Sequence, residues 1–158
     1  MKQEELKEIL KKHKDWLNGV VGGVRANLTG IDLKNSDLRN VNLKNANLYR
    51  ANLSGCDLER TDLKGANLNF VNLKNANLEN ASLYCAELRN AKGIIHWQSP
   101  LGIKRTCYSV KHDDCVMHKL GCFWGDTDEA VTAIREKYGD DSMYEQLLLL
   151  NAKALEEE

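Results

Sequence analysis

The sequence predicts a β-solenoid, a coil of short repeats that occupies the middle of the chain. Leucine recurs at every fifth position from residue 28 to residue 88 without a gap. The residue two positions before each leucine is small in most repeats, and the other three positions are mostly polar. A period of five fits neither the 3.6-residue turn of an α-helix nor the two-residue alternation of a strand. These observations indicate a coil that turns every five residues.

The leucine column is the predicted core of this coil. In an α-helix, a step of five residues rotates the side chain by about 140° and would spread the leucines over every side. In a narrow coil the leucines fill the axis, and alanine-sized residues lie where the backbone walls approach closely. The predicted core consists of Leu28, Leu33, Leu38, Leu43, Leu48, Leu53, Leu58, Leu63, Leu68, Leu73, Leu78, Leu83 and Leu88.

A polar column separates the small residues from the leucines. It is nearly always Asn or Asp, as at Asn27, Asp32, Asp37 and Asn42. Asn and Asp side chains bond to nearby backbone groups in turns. We therefore interpret them as turn and ladder residues rather than as functional acids.

The motif Ala-Asn-Leu-x-x, present at residues 46–50, 51–55, 66–70 and 76–80, resembles the repeat of the pentapeptide-repeat family. The resemblance covers residues 26–90, which is 65 of the 158 residues. It implies four repeats per coil and therefore a right-handed quadrilateral β-helix. Thirteen repeats would make about 3.25 coils, about 15 Å tall at the usual strand spacing. Each coil is stabilised by its neighbours, so both ends need a cap.

Residues 1–25 are the predicted N-terminal capping helix and linker, ahead of the repeat domain at 26–92. A helix over residues 3–18 would end at Asn18-Gly19, and Gly22-Gly23 would lead flexibly into the first coil. An apolar stripe on this helix would cover the open end of the coil, although a helix lying on a membrane surface is an alternative. The stripe consists of Leu6, Ile9, Leu10, His13, Trp16, Leu17 and Val20.

Residues 93–158 are the predicted small α+β extension, a hairpin followed by two helices. The repeat fails where Gly93 takes the leucine position. The hairpin spans residues 103–122, and helices follow from Asp126 or Thr127 to Tyr138 and from Ser142 onward, each with a capping box at its start. The stretch from Gly121 to Gly125 and on to residue 140 resembles the C-terminal extension of some phage-type pentapeptide-repeat proteins.

The residues best suited to chemistry lie in this hairpin. Clustered Cys and His side chains are typical of zinc sites, but no Cys-x-x-Cys knuckle is present. The hairpin register would pair His112 with Cys115 on one face and His118 with Ser109 on the other. Metal binding or a Cys115 nucleophile beside His112 therefore stays an alternative, and we predict no catalytic residue, metal ligand or cofactor. The cluster consists of Cys107, His112, Cys115, His118 and Cys122.

The outer surface can be mapped if residues 20 apart stack on one another. One face then carries the predicted partner-binding residues Tyr49, Arg50, Phe70 and Arg89, together with Glu87. Exposed aromatic and arginine side chains suit a protein partner. The alternative is that the cap or the C-terminal segment covers the rings. A second face gathers Asp37, Arg39, Asp57, Glu59, Arg60 and Glu79.

Charge limits the functions that the repeat can perform. The chain has a formal net charge of −1. Family members that protect DNA gyrase are thought to imitate duplex DNA, which requires a dense line of negative charge, about one per 1.7 Å. Basic and acidic residues are nearly balanced in this repeat, and the basic ones are scattered, which disfavours both DNA mimicry and direct nucleic-acid binding.

Our leading hypothesis is thus a non-enzymatic scaffold that binds a protein partner, such as a phage-encoded modulator of a host protein. A DNA-mimic inhibitor or protector of gyrase, or of another DNA-binding protein, is the alternative. No apolar segment is long enough to span a membrane, and the five cysteines are most simply free thiols in a reducing cytoplasm. A homodimer is compatible with the sequence.

Overall fold

The structure, a computed structural model, describes residues 3–98, 106–112, 115–120, 123–138, 140 and 142–157. The chain divides into two compact units: the coil unit, Met1–Leu73 with Asn77–Lys92, and the sheet unit, Lys74–Ala76 with Gly93–Glu158. The helices and strands are α1 (Gln3–Leu17), β1 (Ile94–Gln98), β2 (Thr106–His112), β3 (Cys115–Leu120), β4 (Phe123–Asp126), α2 (Thr127–Tyr138) and α3 (Met143–Glu156). None of these described helices is long and apolar enough to cross a bilayer.

The repeats stack as coils of 20 residues. Parallel bridges join residues 20 apart, from Asn27 with Asn47 to Asn72 with Lys92. Twenty residues make four repeats, so the stack has four sides, as the resemblance implied. We name two of these sides. The aromatic side comprises residues 26–30, 46–50, 66–70 and 86–90, and the acidic side comprises residues 36–40, 56–60 and 76–80.

Each repeat turns at the two residues that follow its leucine. The leucine carbonyl accepts a hydrogen bond from the amide three residues on, as from Ala46 to Leu43 at 2.9 Å. The second residue after the leucine has a positive φ, for example 58° at Asn35. A hydrogen-bonded turn with this conformation at its third position is a type II β-turn, and turns of this kind form the corners of the coil.

The polar column forms the expected turn and ladder contacts. Asp32 Oδ1 accepts a hydrogen bond from the amide of Lys34 at 3.1 Å, which closes the local turn. The same oxygen accepts from Asn52 Nδ2 of the next coil at 2.9 Å, and Asn72 Nδ2 donates to Asn52 Oδ1 at 3.1 Å. Side-chain amides thus connect successive coils in parallel with the backbone bonds.

The leucines fill the axis of the coil. Twelve of the thirteen are buried, and Leu88 in the last repeat is half-buried. In the small column, Cys56 and Thr61 are also buried, and they donate to the carbonyls of Leu33 and Leu38, both at 2.8 Å. Polar side chains are therefore accommodated in the core because each finds a backbone acceptor there.

Helix α1 contacts the first coil through His13. Its side chain is fully buried, and its Nδ1 accepts a hydrogen bond from the amide of Ala26 at 3.1 Å. The predicted apolar stripe is only partly correct, because Trp16 and Val20 are 37% and 51% exposed. The helix ends at Leu17, so Val20 lies beyond the helical face on which the stripe placed it.

The end of the linker after α1 lies against the helix at Gly23, where we expected a flexible entry to the first coil. The amide of Val24 donates to the carbonyl of Lys12 at 3.0 Å. A Cβ at Gly23 would lie 2.3 Å from the backbone nitrogen of Trp16. Glycine is thus needed here for close approach to the helix.

Among its described residues, the sheet unit contains four antiparallel strands in the order β1-β2-β3-β4. The prediction of a two-stranded hairpin missed β1 and β4. Strand β1 follows the repeat directly, and β4 has only four residues, so neither shows a clear alternation of its own. Between β2 and β3, Ser109 pairs with His118 and His112 with Cys115, which is the predicted register. Residues 103–105, 113–114 and 121–122 of the predicted hairpin lie outside the described residues.

Helices α2 and α3 pack together through Ala130, Ile134 and Leu148. A reciprocal capping box starts α2, since Asp126 Oδ1 accepts from the amide of Glu129 at 3.0 Å and Glu129 Oε2 accepts from the amide of Asp126 at 3.2 Å.

Candidate partner-binding surface

The aromatic side carries a compact group of two rings and one guanidinium. The rings of Tyr49 and Phe70 meet edge to face, with centroids 5.6 Å apart and planes at 70°. The Cζ atom of Arg50 lies 5.2 Å from the Tyr49 centroid and 5.6 Å from the Phe70 centroid. Phe70 is 42% exposed. We call Tyr49, Arg50 and Phe70 the aromatic–arginine patch.

Two residues of this patch, Arg50 and Phe70, occupy corners whose positive φ is unfavourable for large side chains. All thirteen corner residues have a positive φ, and nine of them are Gly or Asn, which tolerate that conformation. Arg50 and Phe70 adopt it at 57° and 60°, where a residue with a large side chain costs about 1 kcal/mol or more. The other exceptions are Arg60 and Cys85. The patch is therefore not explained by the needs of the coil.

Arg89 lies on the aromatic side but stacks over Asn69 rather than over the rings. The Arg89 amide donates to Asn69 Oδ1 at 2.8 Å, and the Arg89 carbonyl accepts from the amide of Phe70 at 2.8 Å. Glu87 Oε2 accepts from Asn69 Nδ2 at 2.7 Å. Of the four predicted partner-binding residues, the structure brings three into one patch and places Arg89 beside it.

The acidic side differs, because its arginines are paired with carboxylates. Arg39 Nη2 lies 2.7 Å from Asp37 Oδ2, and Arg39 Nε lies 3.4 Å from Asp57 Oδ2. Arg60 Nη1 lies 3.3 Å from Glu59 Oε1. The side-chain hydrogen bond from Arg39 lowers the pKa of Asp37 to about 2. Each guanidinium offsets negative charge on this side, which therefore lacks the uninterrupted acidic line of a DNA mimic.

His118, a member of the Cys and His cluster in the hairpin, takes part in hydrogen bonds through both ring nitrogens. It is fully buried, with Nδ1 2.8 Å from Ser109 Oγ and Nε2 3.0 Å from Thr127 Oγ1. Both ring nitrogens are occupied, so His118 cannot ligate a metal in this arrangement. Burial lowers the pKa of His118 to about 4, while the nearby charge of Asp126 acts in the opposite direction.

The remaining members of that cluster are described less fully. Cys107, His112 and Cys115 lie on β2 and β3, where the structure describes their backbone, and Cys122 lies outside the described residues. Within the part of the chain whose side chains are described, no group of three His, Cys, Asp or Glu residues could hold a metal ion.

Sequence reasoning missed the role of His13. The sequence placed it on an apolar stripe, but its partner is the backbone amide of Ala26, which no side-chain pattern reveals. Burial lowers the pKa of His13, the carbonyl of Lys44 raises it and the charge of Arg25 lowers it. The one indication in the sequence was a titratable residue within an otherwise apolar stripe.

Comparison with known sequences identifies the repeat. The family described as Pentapeptide repeats matches residues 26–65 and 61–92, with eight copies. Residues 26–92 therefore match the pentapeptide-repeat family, and proteins of that family fold as right-handed quadrilateral β-helices. No curated protein matches the chain significantly.

Solved structures of pentapeptide-repeat proteins are similar to the repeat. One from the cyanobacterium Cyanothece 51142 is 41% identical over 42% of this chain, with a TM-score of 0.30. One from the thylakoid lumen of Arabidopsis thaliana is 25% identical over 44%, with a TM-score of 0.34. HetL of Nostoc, involved in heterocyst differentiation regulation, is 36% identical over 44%, with a TM-score of 0.26. The matched part spans 43%, 64% and 36% of those three chains.

Proposed function

We propose that this protein is a non-enzymatic binding scaffold that recognises a protein partner through its aromatic side. The observation that carries the proposal is the placement of Arg50 and Phe70 at left-handed corners, with Phe70 42% exposed. The coil would be served better by Gly or Asn at these positions. Arg and Phe are unfavourable in this backbone conformation, and both side chains face solvent. Their presence therefore supports a role other than folding.

The composition and rigidity of the patch also support protein recognition. Tyr and Arg are enriched among the residues that dominate binding energies, and aromatic residues are enriched at interface centres. The patch stands on adjacent coils joined by backbone bonds, for example from the Arg50 amide to the Asn69 carbonyl at 3.0 Å. A partner would thus meet side chains that are already positioned, which reduces the entropy lost on binding.

DNA mimicry receives less support than partner binding through the aromatic side. The carboxylates of Asp37, Asp57 and Glu59 are each within ion-pair distance of an arginine. A gyrase supercoiling assay with micromolar protein tests the alternative, and inhibition or protection of gyrase would favour it over our proposal.

Quantitative pull-down and cross-linking from a cell lysate test the proposal. The variant Tyr49→Ala with Phe70→Asn removes both rings and leaves a corner residue that tolerates a positive φ. Tyr84→Ala is the matched control, because Tyr84 also directly follows a core leucine, is 49% exposed and lies on a different side. We expect a specific partner that is retained by the control and lost from the double variant. A partner retained by both variants would contradict the assignment to the aromatic side.

A further inference from the structure

We infer that the aromatic side binds an acidic segment of its partner, in which a carboxylate meets Arg50 and a neighbouring apolar side chain packs on the rings of Tyr49 and Phe70. This inference rests on the proposed function and adds the chemistry of the partner. It follows from the charge environment of the arginines on two sides of the same coil.

The arginines of the two sides differ in whether the protein supplies their counter-ion. On the acidic side, Arg39 and Arg60 each lie within 3.3 Å or less of a carboxylate oxygen of the same chain. On the aromatic side, Arg50 and Arg89 have no carboxylate within ion-pair distance among the described residues. The only acidic residue of that side, Glu87, is hydrogen-bonded to Asn69.

The chemistry of the guanidinium indicates what the missing partner is. A guanidinium carries five N–H donors in a planar fork that matches a carboxylate in a bidentate manner. Contact with the faces of Tyr49 and Phe70 attracts the cation but accepts no conventional hydrogen bond from these donors. The two rings also restrict the movement of the long Arg50 side chain, so that less conformational entropy is lost when a carboxylate binds.

The rings determine the second requirement of the partner. Phe70 stays 42% exposed in the edge-to-face pair, which leaves apolar surface next to the cation. Burial of such surface stabilises a complex by about 25 cal/mol per Å². A basic segment is disfavoured because it would approach Arg50 and Arg89 with like charge. An acidic residue flanked by an aromatic or aliphatic residue complements both the Arg50 guanidinium and the apolar surface of the rings.

Selection from a random peptide display library tests this inference. The immobilised wild-type chain is the target, and the variant Tyr49→Ala with Phe70→Asn is used for counter-selection. We expect the enriched peptides to combine Asp or Glu with an aromatic or aliphatic residue. Synthetic versions of these peptides then serve as the probes for affinity measurement at low and high salt.

The matched variants are Arg50→Asn and Arg60→Asn. Both remove an arginine from a corner with nearly the same φ, 57° and 56°, and both introduce a residue that tolerates it. We expect Arg50→Asn to lower the affinity for the selected peptides by about tenfold or more, because a charge-assisted hydrogen bond is lost. We expect Arg60→Asn to leave that affinity unchanged. High salt should weaken wild-type binding and have less effect on Arg50→Asn.

The outcomes separate the two proposals. Enriched peptides without acidic residues, or equal affinities for Arg50→Asn and wild type, would overturn the acidic-segment inference and leave the proposed function standing. Failure to enrich any peptide over the counter-selected variant would count against both.

Discussion

The coil unit and the sheet unit satisfy the hydrogen bonds of their polar groups in different ways. In the coil unit, parallel backbone bridges and side-chain amides join residues 20 apart, in the same pattern from coil to coil. In the sheet unit, the single side chain of His118 bridges hydroxyl groups of β2 and α2. Among the described residues, the first network is repeated from coil to coil and the second occurs once. Stability should therefore depend on neighbouring coils in one unit and on individual contacts in the other.

The largest effect is expected from shortening a leucine in the middle of the coil. Leu58 is fully buried, and we expect Leu58→Ala to lower the free energy of unfolding by about 3 kcal/mol, since it leaves a cavity that rigid neighbouring coils cannot close. Leu88→Ala is the control, with an expected loss of about 1 kcal/mol, because Leu88 is half-buried in the last repeat. Urea unfolding followed by circular dichroism measures both. Equal losses would contradict a stability that depends on neighbouring coils.

Acidification should destabilise the sheet unit through His118. Burial lowers the pKa of His118 to about 4 from its ordinary value of 6.5, so the unfolded chain binds a proton more readily than the folded one. The contribution to stability is fully present above pH 6.5 and is lost as the pH falls from there toward 4. Between pH 7.5 and pH 5 we expect a loss of about 2 kcal/mol.

The variant His118→Gln isolates this effect, because an amide can bond to both hydroxyls and does not titrate in this range. His13 acts in the same direction in wild type and variant, since its pKa is also lowered. The loss between pH 7.5 and pH 5, measured by urea unfolding, should be smaller in the variant by about 2 kcal/mol. An identical pH dependence in the two proteins would rule out His118 as the group responsible.

A smaller effect is expected at the start of α3. Ser142 Oγ accepts a hydrogen bond from the amide of Glu145 at 3.3 Å. Ser142→Ala should lower the free energy of unfolding by about 1 kcal/mol, whereas Ser142→Asp should retain the cap and most of the stability. Thermal unfolding compares the two variants. If Ala and Asp behave alike, the capping bond contributes little to the sheet unit.

The two units also differ in how far their structures follow from sequence. The core of the coil could be predicted residue by residue, because an inward leucine column repeats with a fixed period and each position has the same neighbours. Strand β1 and the bridge between His118 and Thr127 could not, because they depend on pairing between segments without a shared period. The contact of Arg50 with both rings could be predicted in part. The 20-residue coil placed the residues together, whereas the rotamer of Arg50 required the structure.

The smallest effect on stability is expected at Phe70. Phe70→Asn loses an edge-to-face contact worth about 1 kcal/mol and relieves a strained corner by a similar amount, so we expect the free energy of unfolding to change by less than about 0.5 kcal/mol. Phe70→Val is the control, because a β-branched residue is poorly tolerated at φ 60°. It should be less stable than Phe70→Asn by about 1 kcal/mol. If Phe70→Asn is instead the less stable of the two, the ring contributes to folding, and its exposure at the corner no longer indicates a partner.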